Sequence, residues 1–176
     1  MEGLELILAF VNTVDLEEGR EELDSAAALG QWLAVHGLVS ESSRAVGADL
    51  RSALTLREAF RDLALANNGV EVDADQAVGA LEWAARRARL VVRFGEDGSV
   101  RFEPAAAGIA GGLGKLVATA ATAMATGSWS RFKACRSETC GWAFVDESRN
   151  ASRTWCSMEV CGNREKARAF RRRQAD

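Results

Sequence analysis

Four cysteines near the end of the chain are the residues whose type and spacing most clearly predict chemistry. Cys135 and Cys140 are separated by four residues, and so are Cys156 and Cys161. Fifteen residues lie between the two pairs, and no cysteine precedes them. Zinc binds four thiolates in a tetrahedron, with each sulfur at about 2.3 Å. A hairpin between the pairs could bring all four together, so the spacing predicts a four-cysteine zinc module.

Three other interpretations of these cysteines stay open. Two disulfides would need an oxidising compartment, and the acidic start Met1–Glu5 lacks the basic-then-apolar layout of a signal peptide. An iron–sulfur cluster also accepts four thiolates, although symmetric pairs around a hairpin-length gap are typical of structural zinc. Four unrelated buried cysteines would not explain the pairing. We therefore expect one structural zinc ion in a cytoplasmic protein.

Charge is divided unevenly along the 176 residues. Residues 131–176 contain 11 Lys and Arg against 6 Asp and Glu, a net charge of +5. Residues 1–130 contain 11 against 19, a net charge of −8, and the whole chain carries −3. A basic C-terminal part on an acidic body indicates a polyanionic partner such as DNA. Arginine-rich helix ends that are simply solvated would give the same count.

Hydrophobic periodicity predicts that the chain before residue 88 is helical. An apolar run at residues 4–14 is expected to form a first helix, followed by an acidic, solvated loop at residues 17–22. A second helix is expected from Asp24 or Ser25, either of which can cap it, to His36. A third is expected over residues 42–67, where apolar residues repeat at steps of three and four.

The fourth predicted helix has a clear start signal. Asp73 is followed three residues later by Gln76, which is the pattern of a capping box. The side of this helix that faces the protein interior is predicted to contain Val78, Leu81 and Ala85, because they follow the helical period. The single histidine, His36, lies at a helix end, where capping or solvent exposure is the expected role rather than catalysis.

The apolar pattern changes to a period of two at residue 90. Strands at 90–94 and 99–102 around an Asp-Gly turn predict a β-hairpin. Pro104 is expected at the first position of a helix over 105–126. That helix is long enough for a membrane span, but it is mostly Ala, Gly and Thr with Lys115 near its centre, so a tightly packed helix is expected instead.

The glycines of this helix also resemble a nucleotide-binding loop. Ile109 stands where that motif needs its first glycine, and Leu116 stands where Ser or Thr must hold magnesium. We therefore expect the glycines to allow close helix packing. No nucleophile–base pair is visible elsewhere, and four ligated cysteines leave zinc no open position, so the chain is not expected to be an enzyme.

The C-terminal module, residues 128–176, is predicted to be separate from the helical domain, residues 1–127. Its predicted fold is a hairpin with strands at 141–145 and 152–155, followed by a helix that starts near Cys161. The positive end of that helix would favour a thiolate there. The expected fold class is mainly α: a helical N-terminal domain with one β-hairpin, plus a small four-cysteine zinc module in which a hairpin precedes a helix.

The last helix separates two faces, at about 100° per residue. One face is expected to pack on the hairpin aromatics and contains Val160, Asn163, Ala167 and Phe170. The adjacent face is cationic and suits DNA phosphates, with Arg164, Arg168, Arg171 and Arg172. Arginines close to the cysteines in sequence could instead offset the charge of four thiolates on zinc, at Arg136, Arg149, Arg153 and Arg164.

These residues resemble the CGNR zinc finger family. The resemblance rests on Trp142 with Phe144, on the segments 148–150 and 155–158, and above all on the run Cys161-Gly162-Asn163-Arg164. In that family the finger follows a helical ABATE domain, described as a "putative stress-induced transcription regulator", which residues 1–127 resemble more loosely at 10–13 and 32–33. The family implies DNA binding by the finger, and it implies zinc at Cys135, Cys140, Cys156 and Cys161.

Two functions are open on these grounds. The first is a zinc-binding transcription regulator whose finger and basic helix contact DNA, while the helical body senses a small-molecule effector or forms a homodimer. The second is a ligand-binding or protein-interaction module with a purely structural zinc. Its weak candidate pocket is lined by Asn12, Thr13, Trp32 and Arg57. Polar residues that cap or bridge helices would explain the same four positions.

Overall fold

The computed structural model describes residues 3–175, which are mainly helical, as the periodicity predicts. The helices are α1 (Leu4–Val11), α2 (Ala26–Val35), α3 (Gly47–Asn67), α4 (Ala74–Arg87), α5 (Gly108–Ala125) and α6 (Asn163–Ala175). The strands are β1 (Val14–Asp15), β2 (Arg20–Glu21), β3 (Leu90–Phe94), β4 (Val100–Pro104), β5 (Phe132–Ala134) and β6 (Ala143–Val145). Within the described residues these strands pair as three antiparallel hairpins, β1–β2, β3–β4 and β5–β6.

Helix α5 runs through the core and packs on α1, α2, α4 and β4. Leu116 and Ala120 have no exposed surface. Its glycines allow close approach: a Cβ at Gly114 would lie 2.3 Å from the Ala88 Cβ and 3.0 Å from the Pro104 Cβ. The length and composition of α5 would also let it cross a membrane, but 56% of the stretch is buried inside the protein, as in a core helix.

Capping residues set the helix starts. The Ser25 hydroxyl accepts a hydrogen bond from the Ala28 N–H (3.1 Å), and the Asp73 carboxylate accepts one from the Gln76 N–H (3.1 Å), which confirms both predicted caps. Helix α3 begins at residue 47 rather than 42, because the Asp49 carboxylate accepts a hydrogen bond from the Val46 N–H and closes the first turn there.

Further details of the helical body differ from the sequence predictions. The acidic segment at residues 17–22 is not a plain loop, since β1 and β2 pair across it. Val78 is 45% exposed instead of buried, and Ala77 and Ala84 are the buried residues of α4. The small alanine side chains let α4 approach α3 closely, so the contact face is rotated away from Val78.

The β3–β4 hairpin has the predicted position and pairs Phe94 with Val100 and Leu90 with Pro104. Pro104, however, ends β4 instead of opening a helix, and α5 begins at residue 108. Hydrogen-bonded and non-hydrogen-bonded pairs alternate in an antiparallel hairpin. The Gly95 N–H donates to the Ser99 carbonyl (2.8 Å), which places Pro104 in a non-hydrogen-bonded pair. Its missing N–H therefore costs the hairpin no bond.

The hairpin of the C-terminal module is built differently from the prediction. β6 pairs with β5, with Ala134 opposite Ala143 and Phe132 opposite Val145. The first cysteine pair lies in the connection between these two strands. The expected second strand at 152–155 does not form. Phe132 is completely buried beside Trp129, with ring centroids 5.0 Å apart, and β5 packs on α3. Burial in the main core therefore determines which segment pairs with β6.

Candidate metal centre

The first two cysteines lie at the end of the β5–β6 hairpin. The Cys135 N–H donates to the Trp142 carbonyl (2.9 Å) and continues the strand pairing by one step, and the Cys140 N–H donates to the Ser137 carbonyl (2.9 Å) and closes the turn between them. Gly141 follows with φ of 58°. Only glycine adopts that conformation without strain, so the chain can turn sharply from Cys140 into β6.

The second pair lies in the segment that leads into α6. Residues 158–162 form a wide helical turn, in which the Ser157 hydroxyl accepts a hydrogen bond from the Val160 N–H (3.3 Å). Cys161 is buried in this turn. A Cβ at Gly162 would lie 2.4 Å from the Met158 sulfur and 3.2 Å from the Trp155 ring. The glycine after Cys161 therefore lets the Met158 and Trp155 side chains lie close against the backbone.

The four sulfurs are placed for one tetrahedral ion. All four Sγ atoms lie within 4.8 Å of one another. Cys140 Sγ is 3.5 Å from Cys156 Sγ, which is 3.7 Å from Cys161 Sγ. A zinc–sulfur distance of 2.3 Å requires sulfur separations of about 3.8 Å at the corners of a tetrahedron, whereas a disulfide requires about 2.05 Å. The four cysteines fit one structural zinc ion, and they fill all of its coordination positions.

The thiols influence one another's ionisation. A hydrogen bond from the Cys140 thiol lowers the pKa of Cys135 to about 5, against the opposing effect of burial. Burial raises the pKa of Cys156 to about 12, and the neighbouring Cys135 raises the pKa of Cys140. One thiolate therefore forms easily and further ones do not. A divalent cation would supply the charge that lets all four sulfurs ionise together.

Two of the arginines near the cysteines hold the backbone around the cluster. The Arg153 Nε donates to the Trp155 carbonyl (2.9 Å), its Nη2 donates to the Cys156 carbonyl, and its guanidinium lies 4.6 Å from the Phe144 ring centroid. The Arg136 Nε donates to the Asn68 carbonyl (2.5 Å). These contacts fix the chain on both sides of the thiolates, while Arg149 is exposed.

Arg164 joins the cluster to the body. Its Nη2 donates to the Glu17 carboxylate at 2.7 Å, across 147 positions of sequence. That hydrogen bond, with a smaller contribution from the Cys161 and Cys140 thiols, raises the pKa of Arg164. Glu17 lies in the turn between β1 and β2, so the small hairpin missed by the sequence prediction contacts the start of α6.

Residues of the helical body reach the metal centre at points that the sequence prediction missed. Arg61 of α3 donates to the Gly141 carbonyl (2.5 Å) and to the Val11 carbonyl (2.7 Å). Asn68 donates to the Ala134 and Thr154 carbonyls, both at 2.8 Å. The sequence shows the Asn67-Asn68-Gly69 segment only as a helix end. Its role as a link between α3 and the cysteine segments depends on a contact made across the fold.

The predicted DNA-contacting arginines are not equivalent. Arg164 and Arg168 are half-buried, and Arg168 pairs with Glu165 (2.5 Å). Arg171 and Arg172 are exposed, and neither makes an ion pair within residues 3–175. The predicted packing of the apolar face of α6 on the hairpin aromatics is wrong: Phe170 is 59% exposed and Val160 is 53% exposed. The β5–β6 hairpin is buried against α3 instead, so α6 extends away from it.

Of the four residues of the weak candidate pocket, Thr13 and Arg57 contact each other, and Asn12 contacts the C-terminal module. The Thr13 hydroxyl is buried, donates to the Phe10 carbonyl (2.8 Å) and accepts from Arg57 (3.2 Å). Arg57 also pairs with Glu21 and Glu58. Asn12 bonds the backbone of β6, and Trp32 stacks on His36 at 3.9 Å. Ligand binding by these residues stays a prediction, and the contacts of Asn12, Thr13 and Arg57 are those of bridges between elements.

Comparison with known protein families matches both parts of the chain. A model of the ABATE family, described as a "putative stress-induced transcription regulator", matches residues 4–128. A model of the CGNR zinc finger matches residues 131–174. No curated protein matches the chain. Neither family is an enzyme family, and both matches agree with the resemblance that the sequence motifs indicate.

Proposed function

This chain belongs to the ABATE family and ends in a CGNR zinc finger, and we propose that it regulates transcription by binding duplex DNA with that finger. In this proposal α6 approaches the phosphates, and the zinc ion fixes the start of α6 on the β5–β6 hairpin. The helical body senses a small-molecule effector or carries the dimer contact, and the protein acts in the cytoplasm. Zinc has a structural role, since four thiolates fill its coordination positions.

The observation that carries this proposal is the exposed positive charge of α6. Arg171, Arg172 and Arg173 are consecutive and exposed, and Lys166 lies exposed one turn earlier. The C-terminal residues 131–176 carry +5 while the body carries −8. Lysine and arginine that neutralise phosphates release counterions, and this release supplies most of the affinity of non-specific DNA binding.

The four arginines predicted to contact DNA have different roles in this proposal, because two of them already bond carboxylates of the protein. Arg164 bonds Glu17 and lies near the thiols, and Arg168 bonds Glu165. We therefore assign phosphate contact chiefly to Arg171 and Arg172, and we assign to Arg164 a role in orienting α6 on the body. Arg168 can contribute to DNA binding after its bond to Glu165, which lies one turn away on the same helix, is exchanged for a phosphate.

The test compares two charge-matched double variants of the zinc-loaded protein. Arg171→Ala with Arg172→Ala should weaken binding to duplex DNA and lower the slope of log affinity against log salt by about 1.8, because each lost phosphate contact removes about 0.9. The control is Arg51→Ala with Arg86→Ala, two exposed arginines of α3 and α4, and it should leave the slope unchanged. Equal slopes for the two double variants would contradict the proposal.

A second candidate function is protein interaction with a purely structural zinc. The observation in its favour is a set of exposed apolar side chains in this module. Trp142 and Val160 line a surface cleft beside Cys140, Cys156 and Cys161 and are 37% and 53% exposed, and Met158 and Phe170 are also exposed. Exposed apolar groups of this size often mark interaction sites. Under this function the protein would bind no duplex even at low salt, and the exposed arginines of α6 would be solvated.

A further inference from the structure

The free edge of β4 faces a groove of about 520 Å³. All five residues of β4 line one side of it, and α5 lines the other side with Lys115, Ala118, Thr119 and Thr122. A groove that follows every residue of one strand runs along the edge of that strand. The side chains that α5 presents there are mostly small, and Lys115 is held away by its bonds to the Gly37 and Leu38 carbonyls.

Within residues 3–175, no other strand uses the hydrogen-bonding groups on this edge of β4. Hydrogen-bonded pairs alternate along the hairpin, and the bond from the Gly95 N–H to the Ser99 carbonyl sets their order. Arg101 and Glu103 therefore bond towards β3, while the N–H and C=O groups of Val100 and Phe102 point into the groove. An open strand edge beside a groove is a template for pairing with another extended strand.

The charges of the β3–β4 hairpin are unbalanced within one copy. Arg93 and Arg101 lie directly opposite each other in the strand register, and like charges in that position are unfavourable. Glu103 reaches each arginine only at 3.7 Å. A carboxylate directly opposite Arg101 on its other side would be a favourable cross-strand partner, since opposite charges in that position attract.

We propose that the occupant of the groove is β4 of a second copy of this chain, so that the protein is a homodimer with a continuous four-stranded sheet. The two β4 strands pair antiparallel around a two-fold axis at Phe102. This register places Arg101 opposite Glu103 of the second copy, twice by symmetry. It also places Val100 opposite Pro104 of the second copy and each Phe102 beside the other.

This register sets the hydrogen bonds around the only proline. Each Phe102 N–H donates to the Phe102 carbonyl of the other copy, and each Val100 N–H donates to the Pro104 carbonyl of the other copy. Pro104 has no N–H to return a bond to the Val100 carbonyl, so each Val100–Pro104 pair contributes a single hydrogen bond. The arginine–glutamate pair falls at a non-hydrogen-bonded position, where opposing side chains approach most closely.

The apolar side of the hairpin gains contacts in the same arrangement. Phe94 is 79% exposed and Val100 is 51% exposed, although they lie on the face that carries Leu90 and Pro104 at the base of the hairpin. Pairing extends the row Phe94–Val100 with Pro104 and Leu90 of the second copy. The β3–β4 hairpin already packs on α5 within one copy, and a four-stranded sheet would bury more of its apolar face. This inference does not depend on DNA binding.

The test uses charge reversal at two exposed positions, measured as molar mass by light scattering during size-exclusion chromatography. The native chain should have twice its chain mass of 18.9 kDa. Arg101→Glu and Glu103→Arg, whose side chains are 65% and 49% exposed, should each shift the protein to 18.9 kDa. A mixture of the two variants should regain the double mass, because both cross-strand pairs in the mixed dimer then join a glutamate of one variant to an arginine of the other.

Two further variants make the outcome decisive. The double exchange Arg101→Glu with Glu103→Arg should form a dimer by itself, and Arg86→Glu, a reversal at an exposed site on α4, should stay dimeric. Circular dichroism of each single variant checks that it is folded. A monomeric native chain, single variants that stay dimeric, or folded single variants that stay monomeric when mixed would each overturn the proposal.

Discussion

Asn12 and Ala143 exchange two hydrogen bonds across 131 positions of sequence. The Asn12 side-chain amide donates to the Ala143 carbonyl (3.0 Å), and its Oδ1 accepts from the Ala143 N–H (2.8 Å). Asn12 caps the end of α1, and Ala143 opens β6 three residues after Cys140. One side chain of the helical body thus binds the strand that positions the first cysteine pair.

Replacement of Asn12 by Ala should therefore destabilise the whole chain. It leaves both the N–H and the C=O of the completely buried Ala143 without partners, and such a loss costs about 1–3 kcal/mol of unfolding free energy per group. Urea unfolding of the zinc-loaded protein measures the loss. Asn150→Ala, at an exposed turn residue, is the control and should match the native chain. A loss no larger than that of the control would contradict the proposed bridging role.

Removal of zinc should loosen the C-terminal segment without unfolding the hairpin that precedes it. Structural zinc contributes about 10 kcal/mol of binding that is also folding energy, and after chelation no other contact of that strength holds Cys161 and α6. The β5–β6 hairpin stays fixed by burial of Phe132 and by the bonds from Arg61. Hydrogen exchange should show loss of protection in α6 and retained protection in β5.

Two results of that experiment would contradict the expectation. Loss of protection in α1 and α3 after chelation would show that zinc holds the helical body together as well. Retained protection in α6 would show that zinc is not needed for its position. Cys161→Ser provides the same test without chelator, and readdition of zinc to the native chain should restore protection.

Replacement by alanine should lower the unfolding free energy at Gly114 and raise it at Gly79. A Cβ at Gly114 would overlap Ala88 and approach Pro104, atoms that are fixed to backbone, so Gly114→Ala should cost about 1–3 kcal/mol of unfolding free energy. A Cβ at Gly79 in α4 meets nothing within 4 Å, so Gly79→Ala should stabilise by about 1 kcal/mol through helix propensity. Thermal unfolding measures both. The same sign for the two variants would contradict the packing described for α5.

The Asp146 carboxylate gives the stability a defined pH dependence. Burial raises its pKa, but hydrogen bonds from Lys133 (2.7 Å), from the N–H and hydroxyl of Ser148 and from the Arg153 N–H outweigh burial and lower the pKa well below the usual range. A carboxylate whose pKa is lowered by folding stabilises the folded state. This contribution is complete at pH values above the unfolded pKa, which is about 4 for Asp. That contribution is lost as the pH falls through the lower, folded pKa.

Asp146→Asn should therefore cost about 3–5 kcal/mol at neutral pH, because it leaves the buried Lys133 ammonium without its counter-ion. The difference from the native chain should stay constant down to about pH 5 and shrink below about pH 4. Denaturant unfolding across that pH range tests this. Glu147→Gln, an exposed neighbour, serves as the control. If the difference in unfolding free energy instead grows towards acid pH, the pKa of Asp146 is not lowered by folding.

Features that depend on local sequence could be predicted. Ser25 and Asp73 cap helices where their side chains reach the next turn, and the Asp97-Gly98 turn sets the β3–β4 register. The cysteine spacing predicted the metal centre, because a tight turn within each pair and a short segment between the pairs are enough to bring the four sulfurs together. The run from Cys161 to Arg164 also gave the family.

Features that depend on distant contacts could not be predicted. The pairing of β5 with β6 is decided by the burial of Phe132 beside Trp129, which in turn packs on Phe60, and residues 141–155 alone do not show these contacts. Asn68 and Arg61 have the sequence context of a helix end and a helix surface, yet they bond the backbone of the C-terminal module. The exposure of Phe170 has the same origin, since the burial of Phe132 places β5 on α3.

The most direct test of the central proposal is binding of the zinc-loaded protein to a random duplex DNA library, measured by fluorescence anisotropy at two salt concentrations with and without a chelator. We predict binding that weakens steeply with salt and is lost when zinc is removed, because zinc fixes α6 on the finger. Absence of binding at low salt, or binding unaffected by chelation, would contradict DNA recognition by the zinc finger.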